Sequence, residues 1–135
     1  MTDMLHATGT FEVKVLPLPP DDGVETGGFG RLSIDKQFSG DLQGTSRGQM
    51  VAAGTAVEGS AGYVALERVN GLLNGRTGSF ILMHNGTMKG GTSEMRVAVV
   101  PDSGTGELTG IAGILKIIID GGKHSWEFDY TIAGQ

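Results

Sequence analysis

The sequence contains no cysteine, which excludes disulfides, a thiolate nucleophile and any cysteine-based zinc site. It also lacks a basic patch. Lys and Arg total 10 against 15 for Asp and Glu, giving a formal charge of −5, and the ten cations are scattered along the chain. That balance argues against nucleic acid as a partner. No apolar run approaches the ~20 residues a membrane helix needs; the densest is GILKIIID. The opening stretch MTDMLHATGTFEV has no apolar segment ahead of Phe11 and does not read as a secretory leader. The expectation is a soluble cytoplasmic protein with no membrane partner. Helical periodicity is missing too, because 24 glycines are spread through the 135 residues and each one inside a helix costs about 1 kcal/mol relative to Ala.

What remains is alternation. In HSWEFDYTI, residues His124, Trp126, Phe128, Tyr130 and Ile132 share one face, and Ser125, Glu127, Asp129 and Thr131 the other. TFEVKVLPL and RLSIDKQF alternate in the same way, and Pro17, Pro19 and Pro20 close the first. The pattern predicts strands over roughly 8–17, 29–39, 41–53, 61–70, 75–85, 93–101, 107–119 and 123–133. Most connections are short and rich in Gly, Asn, Asp or Ser, as hairpins between sequence neighbours require. The exception is 18–29, which reads as a lid or flap. Length bounds the chain at one domain, 1–135.

A pattern Leu-x-Gly-x-x-Gly recurs from Leu73 and Leu108, with a copy one residue longer from Leu42. Glycines placed early in long strands let a sheet coil until it closes on itself, and closure removes exposed edges. The reading is an all-β, eight-stranded antiparallel up-and-down β-barrel, preferred to a sandwich.

Several motifs dissolve in context. Gly44-Thr45-Ser46-Arg47-Gly48 has the spacing of a nucleophile elbow but no helix follows it. Asn85-Gly86-Thr87 fits a glycosylation sequon and reads as a hairpin turn; PDSGTGELTG lacks the Lys-Ser/Thr of a phosphate loop and reads as a hairpin connection. His6, His84 and His124 show no metal-ligand spacing, although His84, His124 and Glu67 could converge in space, and neither a metal nor a cofactor is expected.

The informative oddity lies in YVALERV and FILMHN. Tyr63, Ala65, Glu67 and Val69 share one face, and Phe80, Leu82 and His84 share a face of the next strand. A barrel of eight strands has room inside for side chains or one small ligand, so inward Glu67 and His84 would mark a polar spot among apolar walls. Tyr63, Glu67, Arg76, His84, Trp126 and Tyr130 are the candidate ligand-binding residues: aromatics as walls, Glu67 as acceptor, His84 as donor or acceptor, Arg76 as orienting charge. The alternatives are a structural ion pair of Glu67 with Arg76 or His84, or a Glu67 that points outward into an oligomer interface.

The runs GSAGYVALERVNGLLNGRTGSFILMHNGTM, VVPDSGTGELTGIAG and GKHSWEFDYTI closely resemble a bacterial family, the domain of unknown function numbered thirty-two twenty-four. The resemblance implies a barrel like allene oxide cyclase, related to the calycins. It does not carry the cyclase reaction, since that enzyme's pocket uses a cysteine and this chain has none. Three functions stay open: a barrel that binds a small apolar or amphipathic molecule, an isomerase or cyclase using Glu67 and His84 as an acid–base pair, and a solid barrel that assembles. A homo-oligomer is expected in each, and in the last it buries outer apolar stripes such as Ile111, Leu115, Ile117 and Ile119.

Overall fold

The computed structural model describes residues 3–19 and 29–133, so most of the 18–29 connection lies outside the described residues. Eight strands form: β1 (Leu5–Leu18), β2 (Gly30–Gly40), β3 (Leu42–Gly54), β4 (Ala61–Leu73), β5 (Arg76–Lys89), β6 (Thr92–Val99), β7 (Ile111–Asp120) and β8 (Lys123–Ile132). Each pairs antiparallel with its sequence neighbour, and β8 returns to β1, closing an up-and-down barrel. The alternation read in β8 holds: Trp126, Phe128, Tyr130 and Ile132 are buried while Glu127 and Asp129 are exposed.

The barrel has unlike ends. At one, Leu42 and Leu73 are cross-strand partners and Leu108 enters from the 3-10 turn Gly106–Leu108, and all three are fully buried. These are the leucines of the recurring Leu-x-Gly pattern, so the repeat marks a plug. Gly44 and Gly78 both pair with Gly71. A Cβ on Gly44 would lie 2.1 Å from the Asn70 carbonyl oxygen, so only glycine permits this tight coiling.

Three local expectations are corrected. Asn85-Gly86 is not a turn: it lies inside β5, and the chain reverses at Gly90-Gly91, both with positive φ. Gly86 is required for another reason, because a Cβ there would sit 2.3 Å from Cε1 of its cross-strand partner Tyr63. The Asn-Gly hairpin is instead Asn74-Gly75, at φ of 46° and 83°.

PDSGTGELTG is no simple hairpin connection, and β7 begins only at Ile111. The segment replaces β6 as a partner of β5: the Thr105 amide donates to the Ser79 carbonyl at 2.8 Å and the Val100 amide to that of Ile81 at 2.8 Å. It fills the gap left because β6 and β7 pair only through Val97–Leu115 and Ala98–Ile114.

Finally, Ile111, Leu115 and Ile117 do not form an outer stripe. The register turns them inward, Ile111 and Leu115 into the core and Ile117 against it, while Ala112, Ile114 and Lys116 face out. Both faces of this strand are apolar, so alternation alone could not fix which is inside.

Candidate functional site

Midway along the barrel the interior turns polar. Four consecutive strands each send one side chain inward: Lys36 from β2, Ser46 from β3, Glu67 from β4 and His84 from β5. All four are buried. Lys36 and Ser46 are direct cross-strand partners, whereas Glu67 stands opposite Gly48, which has no side chain to block its reach toward Ser46. Lys36 Nζ donates to Glu67 Oε2 at 2.9 Å and Ser46 Oγ donates to Oε1 at 2.7 Å. His84 Nε2 lies against Oε2 as well, as an ion-pair contact. Among the described residues it is the buried side-chain nitrogen or oxygen left without a hydrogen-bond partner.

The electrostatics follow from these contacts. Burial works to raise the Glu67 pKa, yet the adjoining imidazole and the Lys36 charge outweigh it and hold the carboxyl at about 2, below the usual 4.5. Glu67 is therefore an anion at any neutral pH. The Lys36 ammonium also lies 4.8 Å from the Phe11 ring centroid and 5.9 Å from that of Phe38, where the ring faces favour a cation.

Below this layer the interior is filled. Phe80, Phe128 and Tyr130 stack in series, with centroids 5.8 and 4.9 Å apart. Trp126 packs edge-on to Phe38 and donates from Nε1 to the Thr10 carbonyl at 3.1 Å. Above the layer the walls continue inward-facing but uncovered. Met95 and Ile119 share the inward parity of Val97 and Leu115, yet are 40% and 60% exposed. Leu32, Met50 and Tyr63 stand beside them, partly buried. The Tyr63 hydroxyl reaches Met95 Sδ at 3.9 Å, and burial, then the Glu67 charge, raises its pKa.

The six candidate residues thus divide. Tyr63, Glu67 and His84 occupy the polar layer and the open end. Trp126 belongs to the packed core. Tyr130 sits toward the plugged end, its hydroxyl accepting from Asn74 Nδ2 at 2.8 Å. Arg76 does not orient Glu67: it pairs with Leu73 at the plugged end, six residues along β5 from Leu82, the partner of Glu67, or about 20 Å.

The counter-ion is Lys36, which sequence reasoning missed along with Ser46. Its signal was the alternation Leu32, Ile34, Lys36, Phe38, which places an ammonium on the apolar face. Ser46 lies in the middle of a strand, not on an elbow, and serves Glu67. His124 stacks on Phe11 at 5.1 Å, and no three His, Asp or Glu residues converge as a metal site among the described residues. No helix among the described residues is long and apolar enough to cross a membrane.

No curated protein matches the chain. A solved crystal structure does: a protein with unknown function from the DUF3224 family of Shewanella oneidensis MR-1, 45% identical, with a TM-score of 0.89 over 98% of this chain and 100% of that one. The model for that family, described as a protein of unknown function, matches residues 7–130, and with nearly the whole barrel covered the chain belongs to the DUF3224 family.

Proposed function

We propose that the protein binds a small apolar or amphipathic molecule at the open end of its barrel, with the Lys36–Glu67–His84 layer as a polar floor. The observation that carries this is the difference between the two ends. Leu42, Leu73 and Leu108 are fully buried at one, whereas Met95 and Ile119 are inward-facing yet exposed at the other. Apolar walls around a few fixed polar groups are the usual composition of a small-molecule site, and barrel mouths are a common place for one. The Lys36 donors not used by Glu67 and the Tyr63 hydroxyl supply the polar contacts a ligand head would meet.

The acid–base reading is less well supported. A carboxyl held at about 2 is a weak base and is never an acid at neutral pH. The likeness to allene oxide cyclase and the calycins bears on architecture and supplies no reaction.

The test uses the uncharged fluorophore N-phenyl-1-naphthylamine. Its emission should shift to the blue on binding, and Met50→Gln, Met95→Gln or Tyr63→Ala should each weaken binding about tenfold, since one apolar wall side chain contributes roughly 1.5–3 kcal/mol. Binding unaffected by all three substitutions would refute the proposal.

A further inference from the structure

A second feature lies outside the barrel. On the outward face of β3, β4 and β5 a recess of about 680 Å³ is lined by Val51, Val64, Leu66, Ile81 and Met83. Glu67, His84 and Ala65, which point the other way, border it from behind. Val64 and Leu66 are more than half exposed and Met83 nearly so, an unusual concentration of apolar surface on one wall.

One end of the recess is marked by charge. Arg47 and Arg68 are direct cross-strand partners, and both are exposed. Like charges placed opposite one another destabilise a sheet, so the fold gains nothing from this pair. Asp35 lies 3.5 Å from Arg47 Nε and offsets one of the two, with the Arg47 side chain still 90% exposed. The next positions along β4 and β5 are Leu66 and Met83, so a basic clamp passes directly into an apolar trough.

We infer that this recess is a binding site for a free, single-chain anionic amphipath, of the class of a long-chain carboxylate, with its head held by Arg47 and Arg68 and its chain laid over Leu66, Val64 and Met83. Two nearby guanidinium forks fit a carboxylate's two oxygens, and the recess offers a single chain contact along its length. A second copy is a poor occupant where the two-fold axis runs along the strands, because that contact would bring four arginines together. An anionic bilayer is a poor one as well, since two arginines line the recess, whereas an anionic lipid surface is met by clusters of about 4–8 basic residues.

The experiment is an amide-resolved NMR titration of the whole protein with laurate below its micelle concentration, beside uncharged lauryl alcohol. Laurate should shift the amides of Gln49, Leu66 and Met83. Arg47→Gln with Arg68→Gln should weaken it at least tenfold, and Leu66→Gln severalfold, while Met95→Gln at the mouth leaves it unchanged. All are exposed positions, so the variants should keep the wild-type amide pattern elsewhere. Lauryl alcohol should bind this face at least tenfold more weakly than laurate.

Shifts confined to Tyr63, Met95 and Ile119 would assign laurate to the mouth and overturn this inference without touching the proposed function. Binding only to phosphatidylglycerol vesicles, or sizing that shows a dimer whose formation protects Leu66, would overturn it also.

Discussion

Lys36 Nζ stands 2.9 Å from Glu67 Oε2 and 4.8 Å from the centre of the Phe11 ring, so a single buried ammonium serves both the carboxylate and an aromatic face. The two charged groups come from strands β2 and β4, which are not neighbours, with Ser46 of β3 between them. The pair therefore ties three strands together through the interior. Removing one member strands the other charge in a dry site, which is far costlier than replacing both.

Lys36→Met should accordingly destabilise the fold by about 3–5 kcal/mol. Adding Glu67→Gln to it should recover part of that loss rather than deepen it, because no unpaired anion remains. Urea unfolding of the two single variants and the double variant closes the cycle. Additive losses would show that the pair is not coupled.

The depressed Glu67 pKa makes a signed prediction about pH. Its folded-state pKa, about 2, lies below its usual 4.5, so the folded state holds the proton less tightly than the unfolded one. The stabilisation is complete above about 4.5 and disappears as the pH falls toward about 2, amounting to about 3 kcal/mol. Stability of Glu67→Gln measured from pH 6 to pH 2 should lack this component. Parallel acid profiles for the variant and wild type would contradict it.

Gly86 and Tyr63 offer a test of local packing. Gly86→Ala would press a methyl onto the tyrosine ring, at a cost of about 1–3 kcal/mol. Tyr63→Ala combined with Gly86→Ala should relieve the clash, so that the double variant is more stable than the sum of its parts predicts. Thermal melts of the three variants decide this, and strict additivity would show that the ring does not need the gap.

Leu108 tests the plug. It is fully buried although it comes from a loop, and Leu108→Ala should cost about 2–5 kcal/mol, as for a core leucine. A loss below about 1 kcal/mol would mean that the 100–110 segment is an accessory and not part of the barrel's closed end.

The fold was largely legible because a barrel wall writes a period of two into its sequence. Trp126, Phe128 and Tyr130 against Glu127 and Asp129 left little choice of face. β7 was not legible in this way, because Ile114 and Ile118 are as apolar as Leu115 and Ile117, and only pairing with β8 decides which points inward. Asn85-Gly86 misled because the dipeptide that suits a turn also suits a strand position overlain by a ring.

At the site, Glu67 and His84 stood out as polar groups in apolar strands. Lys36 follows the same rule but lies in a strand whose amphipathic pattern is already defined by Leu32 and Ile34. Arg76 attracted attention by its charge, and its distance from Glu67 depends on the cross-strand register, which charge alone does not give.

The proposed occupancy of the open end requires a guest above the Lys36–Glu67–His84 layer. It is tested most directly by native mass spectrometry of the protein purified from its own host without detergent or organic solvent, beside the Tyr63→Ala and Met95→Gln variants prepared identically. An occupied mouth predicts an added small-molecule mass on the wild-type protein that is released on denaturation and is diminished in both variants. A wild-type protein of bare polypeptide mass, or an adduct that both variants retain in full, would contradict it.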